Sequence, residues 1–160
     1  MKKIILIITM LLCLTGCFKS DSYEGINIYT TLYPIEYITK TLYGEYATIN
    51  SIYPNGVDIE NYTITNKKLN DFSKADLFIY NGLGNEKQIA ANLIEKNKNM
   101  DIIDVAQGLE IKNDKSELLI SPSNFLMMAQ NIKNGLKENV KNTSIIESIN
   151  NNYDDLKIKI

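Results

Sequence analysis

The chain has 160 residues, of which 44% are hydrophobic and 22% charged, a composition typical of a globular domain. Its 17 Lys and Arg against 19 Asp and Glu give a net charge of −2. This balance lacks the basic excess that nucleic-acid binding requires, so we expect no nucleic-acid partner. The sequence contains no His, which excludes Ser-His-Asp triads, Cys-His pairs and HExxH zinc helices. Most hydrolase chemistry is therefore excluded.

The start of the chain has the organisation of a bacterial export signal. Two lysines precede an apolar run over residues 4–14 that is too short to span a bilayer. Residues 14–17 (LTGC) resemble the bacterial lipobox, in which the cysteine is lipidated and becomes the first residue of the mature protein. We therefore predict a lipoprotein signal peptide at residues 1–16, lipidation of Cys17 and a tether over residues 17–25. A plain secretory signal or a buried anchor helix is the alternative.

Strand and helix patterns alternate along the rest of the chain. The predicted elements are a strand at 26–31, a helix from Pro34 to the stop at Gly44, a strand at 46–53, a helix at 66–72, a strand at 75–80, a helix at 86–98, strands at 101–105 and 118–121, a helix at 123–141 and a last helix from 143. The apolar run at 75–80 is typical of a buried parallel strand. This alternation predicts an α/β fold, a parallel sheet with helices on both faces.

The two helices at the end of the sequence carry apolar stripes. In the helix at 123–141 the predicted stripe includes Met127. The last helix remains apolar up to Ile160 without a capping residue. Its apolar positions include Ile145, Ile149 and Leu156. We expect that this face needs something else to pack on, so that either the chain continues elsewhere or a partner covers the helix.

Three segments together resemble one protein family. They are residues 30–34 (TTLYP), residues 73–82 (SKADLFIYNG) and residues 121–132, in which SPSN is followed by MAQNI. The sequence resembles the zinc/manganese solute-binding lipoproteins of ABC importers, some of which are also described as adhesins. The resemblance runs from about residue 26 to the last residue, and the lipobox fits the same family.

The resemblance implies two α/β lobes joined by one long rigid helix, with a divalent metal held between the lobes. Residues 26–142 would form the N-terminal lobe, residues 143–160 would begin the linking helix, and the second lobe would be absent. The implied function is capture of zinc or manganese outside the membrane and delivery to an ABC permease, with no reaction catalysed. The protein would lie on the extracytoplasmic face of the cell membrane, anchored in the lipid through Cys17.

Two glutamates stand where the resemblance places the metal-binding histidines of the N-terminal lobe. The family loop GxEPHDYxPT falls on residues 56–65 and puts Glu60 at the first histidine. The family segment DPHxWxxP falls on residues 115–122 and puts Glu117 at the second. Carboxylates favour harder ions such as manganese or calcium, whereas a histidine-rich pocket favours zinc. The alternative is that both glutamates are solvated surface acids and that no metal is bound.

Other features allow more than one interpretation. Gly82 and Gly84 suggest a phosphate cradle, but the third glycine and the lysine of a P-loop are missing, which favours a turn. The tyrosines would either line a carbohydrate or peptide cleft or pack half-buried; they are Tyr29, Tyr33, Tyr37, Tyr43, Tyr46, Tyr53, Tyr62 and Tyr80. Two rival functions remain for the whole chain. One is a degenerate, adhesin-like surface-interaction lobe without metal, and the other is a truncated gene product without function.

Overall fold

The structure is a computed structural model that describes residues 23–109 and 121–160. Its elements are β1 (Ile26–Thr30), α1 (Tyr33–Tyr43), β2 (Ala47–Ser51), α2 (Asn66–Phe72), β3 (Leu77–Tyr80), α3 (Glu86–Lys96), β4 (Asp101–Asp104), α4 (Pro122–Asn139) and α5 (Thr143–Ile158). Each agrees with a predicted element to within a few residues at its ends. The predicted strand at 118–121 lies, except for Ser121, outside the described residues, and so do Cys17 and Glu117.

The four strands form one sheet in the order β2-β1-β3-β4, and every neighbouring pair is parallel. All four residues of β3 are buried, which confirms the interpretation of the apolar run at 75–80 as an interior strand. The central pair, β1 and β3, places Ile28 opposite Leu77 and Thr30 opposite Ile79. The predicted parallel sheet is therefore confirmed.

Helices cover both faces of the sheet, as predicted. Leu77 and Ile79 of β3 point into one hydrophobic core, which is closed by α1, α4 and α5. Phe78 and Tyr80 point into a second core, which is closed by α2 and α3. Successive residues of a strand face opposite sides of a sheet, so one short apolar strand supplies both cores.

A proline and two polar side chains set the starts of three helices. Pro34 occupies the first turn of α1, where its missing N–H costs no helical hydrogen bond. The Thr65 hydroxyl accepts from the N–H of Lys68 at the start of α2. The Asn142 side chain accepts from the N–H of Ser144 at 3.0 Å at the start of α5. These caps fix where each helix begins relative to the sheet.

The last helix packs on this same domain. Four apolar positions of α5 are buried in the core that α1 and α4 also close: Ile145, Ile149, Tyr153 and Leu156. The prediction that this face needs something else to pack on is therefore wrong for these residues. The reason is that α5 folds back antiparallel to α4 after a short connection, which brings Asn150 to Lys137 and Tyr153 to Lys133, and that it reaches α1 as well. Only the end of the helix keeps apolar side chains in solvent, at Ile158 and Ile160.

The predicted stripe of α4 is correct at Ala129, Ile132 and Leu136 but wrong at Met127. Met128 is fully buried, together with Ala129, Ile132 and Leu136, whereas Met127 is 42% exposed. The side chain of Asn131, on the same helix, donates to the carbonyl oxygens of Val105 and Gln107, both at 2.9 Å. These two bonds fix the rotation of α4 against the chain that leaves β4. Within residues 23–109 and 121–160, no helix is both long and apolar enough to cross a membrane.

Candidate functional site

The carboxyl ends of the four strands meet at one edge of the sheet, which we call the carboxyl edge. Because β2 lies on the outer side of β1 and β4 lies on the outer side of β3, the chain leaves β1 and β3 in opposite directions. In open parallel sheets this arrangement opens a crevice in which ligands bind. Thr31, just after β1, is almost fully buried, and its hydroxyl accepts from the N–H of Asn81 at 3.4 Å. The Ser51 hydroxyl donates to the carbonyl of Thr31 at 2.8 Å, so three strand ends are tied together.

Glu60 lies on the connection between β2 and α2, beyond the carboxyl edge, and its side chain is exposed. The sequence Pro54-Asn55-Gly56 predicts a turn, and the connection does turn there, since Gly56 has a φ of +76°, which favours glycine. Asp58 shapes the next turn, because its Oδ1 accepts from the N–H of Glu60 at 3.1 Å and its Oδ2 accepts from the side-chain amide of Asn61 at 2.6 Å. Both Asp58 oxygens therefore serve the loop, and the Glu60 carboxylate extends into solvent.

Aromatic contacts brace the same connection. The rings of Tyr53 and Tyr62 meet edge to face, with centroids 5.7 Å apart. The ammonium group of Lys68 donates to the hydroxyl of Tyr62 and lies 5.1 Å from the centroid of its ring. The loop that carries Glu60 is thus fastened to the end of β2 on one side and to α2 on the other.

A small cavity of about 120 Å³ lies between this loop and the start of α1. Its walls combine polar groups of the carboxyl edge with apolar groups of the loop; they are Thr31, Tyr33, Glu36, Ser51, Tyr53, Pro54, Asn55, Gly56, Val57 and Ile59. Glu36 is the only carboxylate among these residues. The neighbours of Glu60 line this cavity, while Glu60 itself stands outside it.

The carboxylate of Asp104 occupies the space beside Gly82, in the turn after β3. The N–H of Gly82 donates to Oδ1 of Asp104 at 2.9 Å, and a Cβ at residue 82 would overlap that carboxylate. A backbone N–H that is already bonded to a carboxylate is not open to a phosphate. The turn interpretation of Gly82 therefore fits the structure, and the phosphate cradle does not.

Glu86 is a residue of the carboxyl edge that the sequence did not single out. It lies in the first turn of α3, is only 6% exposed, and its carboxylate lies against Gly84. Burial and, after it, the charge of Glu86 raise the pKa of Tyr53 to about 12. In the sequence, Glu86 is an acidic residue at the start of a predicted helix. This is an ordinary feature of helices and gives no sign that the residue is buried.

The metal ligands that the resemblance implies are not brought together within the described residues. Glu60 is placed as above, and Glu117 lies outside the description. Among residues 23–109 and 121–160, no three Cys, Asp or Glu side chains cluster closely enough to hold an ion. A metal site built from three or more such side chains would therefore need groups beyond those residues.

The predicted alternatives for the tyrosines were half-buried packing and the lining of a cleft, and the tyrosines fall into a packed group and an exposed group. Tyr43 and Tyr80 are buried, and Tyr29, Tyr46, Tyr53 and Tyr62 are half-buried, as packing predicts. Tyr33 and Tyr37, on α1, are exposed.

The parallel sheet, its two helical layers and the crevice at its carboxyl edge define an open α/β domain of the type that binds ligands at this edge. The family model of the periplasmic component A of the zinc-uptake complex (ZnuA) matches residues 28–158. The chain belongs to this family, which confirms the resemblance noted from residues 30–34, 73–82 and 121–132.

Relatives with assigned functions agree with this membership. The manganese ABC transporter substrate-binding lipoprotein scaA of Streptococcus gordonii is 29% identical over 161 aligned positions, covering 86% of this chain and 52% of the relative. The manganese-binding lipoprotein MntA of Halalkalibacterium halodurans is 26% identical, covering 69% of this chain and 39% of the relative. The first relative is named as a substrate-binding protein and the second as a metal-binding protein, in agreement with the prediction that the chain is not an enzyme. The chain spans about half of their length or less.

Solved structures show the same fold. The Zn(II)-bound ZnuA-like domain of Streptococcus pneumoniae AdcA superimposes with a TM-score of 0.73 at 20% identity, over 84% of this chain and 51% of that domain. A periplasmic metal-binding protein from Candidatus Liberibacter asiaticus gives a TM-score of 0.71 at 20% identity, over 84% of this chain and 52% of that protein. The matched region again covers about half of each of these proteins.

Proposed function

We propose that this chain is the N-terminal lobe of an extracytoplasmic, lipid-anchored receptor that captures a divalent metal ion for an ABC importer. The observation that carries the proposal is the family match over residues 28–158. The position of the Glu60 loop supports it, because this loop leaves β2 at the ligand-binding edge of the sheet. The permease and the lipid bilayer, reached through Cys17, would be the partners.

The ligands in this proposal are the carboxylates of Glu60 and Glu117. The exposed carboxylate of Glu60 is free of the local bonds that occupy Asp58, so it is able to bind an ion. Two carboxylates favour manganese or calcium over zinc, because hard ions prefer oxygen ligands. Two protein ligands leave most of the coordination shell to water, so the Kd of this lobe alone should be on the order of 0.1–1 mM. A second lobe, as in the longer relatives, would tighten binding.

The test is a thermal titration of the full chain with Mn²⁺, Ca²⁺ and Zn²⁺ separately. An ion that binds only the folded state at ten times its Kd stabilises that state by about 1.4 kcal/mol. This corresponds to a rise in Tm of about 3–6 °C for a domain of this size. We expect the largest rise with Mn²⁺ or Ca²⁺ and none in the double variant Glu60→Ala, Glu117→Ala.

The matched control is the double variant Glu95→Ala, Glu147→Ala, which removes the same charge from exposed positions on α3 and α5. It should keep the full metal-dependent rise. If the wild type gives no rise with several millimolar of any ion, or if both double variants respond equally, the carboxylate site is disproved. The interpretation of Glu60 and Glu117 as solvated acids, in a surface-interaction lobe without metal, would then be preferred.

A further inference from the structure

Two exposed tyrosines of α1 and the partly buried Phe125 of α4 form a row of aromatic rings. Tyr33 is 73% exposed and Tyr37 is 44% exposed, although tyrosine has a large apolar ring. Their ring centroids lie 6.5 Å apart, and the ring of Phe125 follows at 6.5 Å from that of Tyr37. We call these three residues the aromatic row. Exposed tyrosines are typical anchors of protein interfaces, because they bury a large area and lose little side-chain entropy.

Opposite charges flank the aromatic row on the same helix. The ammonium group of Lys40 lies 2.6 Å from a carboxylate oxygen of Glu36; the Lys40 side chain is about half exposed, and the Glu36 side chain is 16% exposed. A shallow groove of about 460 Å³ runs beside them. Its lining consists of Tyr33, Glu36, Tyr37, Lys40, Thr41 and Asn55. The exposed stripe of α1 therefore carries an aromatic ring at its start and a cation about two turns later, on the same side of the helix.

This pattern is complementary to itself in an antiparallel arrangement. If two copies of α1 lie side by side around a two-fold axis between Glu36 and Tyr37, Tyr33 of each copy faces Lys40 of the other. The ammonium group then meets the face of a tyrosine ring, which is an attractive contact. It also comes within one helical turn of the Glu36 carboxylate of the other copy. A two-fold interface needs a surface of this kind, in which each contact occurs twice.

We propose that the aromatic row and its flanking charges bind a second copy of this chain, with the two α1 helices antiparallel. A purely apolar partner would leave Glu36 and Lys40 without new contacts, whereas a second copy supplies an aromatic ring and an opposite charge at the required places. This interface does not depend on metal binding.

Charge reversal on α1 tests the arrangement. The full chain, in mild detergent, is studied by sedimentation velocity as the wild type, as Glu36→Lys and as Lys40→Glu. Each single variant places like charges across the axis and should weaken the dimer at least tenfold. An equimolar mixture of the two variants should restore it, because one copy is then wholly acidic and the other wholly basic at this stripe. All variants keep residues 1–22, so association through that segment is the same in each.

A thiol cross-link gives a second, independent readout. Tyr37→Cys should be joined to its counterpart by a short thiol-specific cross-linker, at a yield several times that of the wild type, which has only Cys13 and Cys17. Ile102→Cys is the matched control, because Ile102 has a similar exposure of 41% but lies on the strand β4. It should stay at the wild-type yield. A monomeric wild type, a mixture that does not recover, or equal cross-linking at both positions would overturn the proposal.

Discussion

The N–H of Gly82 donates to Oδ1 of Asp104 at 2.9 Å and joins the turn after β3 to the end of β4. The same oxygen accepts from the N–H of Ala106, also at 2.9 Å. One carboxylate thus holds two chain segments at the carboxyl edge, and it does so by occupying the space where a side chain of residue 82 would begin. Gly82, in the turn after β3, and Asp104, at the end of β4, therefore fix this part of the edge together.

Gly82→Ala should destabilise the protein by about 1–3 kcal/mol, because the new methyl group must displace the Asp104 carboxylate. The free energy of unfolding in urea measures the loss. In an Asp104→Ala background the same substitution should cost much less, since the overlapping group is gone. Costs that simply add in the double variant would show that the two residues are not coupled and would contradict this account.

The pKa of Tyr53 gives a test of the buried carboxylate of Glu86. Burial is the main cause that raises this pKa to about 12, and the charge of Glu86 adds to it. Glu86→Gln should therefore lower the pKa of Tyr53 while leaving it above its usual value of 10. NMR of labelled tyrosine, with the Tyr53→Phe variant to assign the resonance, measures the change. Glu95→Gln, an exposed position of α3, is the control and should have no effect.

The same shift predicts how stability changes in alkali. Between pH 10 and about pH 12 the unfolded chain releases the Tyr53 proton while the folded protein keeps it. The contribution of Tyr53 to stability is thus complete below pH 10 and is lost as the pH rises through about 12. Burial also raises the pKa values of Tyr23 and Tyr43, which act in the same direction. Tyr53→Phe should make this alkaline decline shallower, and an unchanged slope would contradict the prediction.

Most elements of this fold are readable from the sequence because their signals are local. The run at 75–80 is apolar on both faces, and only a strand between two helical layers needs that pattern. Pro34 suits the first turn of α1, and Gly44 ends the helix where a Cβ would lie 2.5 Å from the carbonyl oxygen of Lys40. The stripe of α4 was misplaced at Met127 because two adjacent methionines have the same hydrophobicity. The bonds of Asn131 to the chain after β4 decide between them, and those bonds are not local.

The carboxyl edge was predicted less completely than the fold. The turn at Gly56 and the loop of Glu60 follow from the sequence, since a turn motif and a family resemblance both point there. Asp104 and Glu86 were missed, because each has the sequence context of an ordinary exposed acid at the end of a strand or the start of a helix. The burial of Glu86 and the hydrogen bonds of Asp104 result from the packing of segments that are distant in the chain, which composition and spacing do not encode.

Lipid attachment at Cys17 remains a prediction, and it has an internal control. Cys17→Ser should release the protein from the membrane fraction or leave the precursor uncleaved, because the modified thiol is lost. Cys13→Ser, four residues earlier and within the predicted signal peptide, should change nothing. Mass spectrometry and detergent phase partitioning measure both properties. Equal behaviour of the two variants would refute lipidation at Cys17.

The burial of α5 predicts that this helix contributes to the stability of the domain. The side chain of Ile149, on α5, is fully buried in the core. Ile149→Ala should therefore lower the free energy of unfolding by about 2–5 kcal/mol. Ile158 lies on the same helix but is 83% exposed, so Ile158→Ala should change stability by less than about 0.5 kcal/mol.

Hydrogen exchange gives the complementary measurement on the same helix. The amides from Ile146 to Leu156 should exchange slowly, with protection that falls in the Ile149→Ala variant, because their helix opens only when its apolar face leaves the core. A helix that merely projected from the domain would exchange quickly along its whole length and would tolerate both substitutions equally. Such a result would contradict the packing of α5 on α1 and α4. It would restore the expectation that something other than this domain covers the helix.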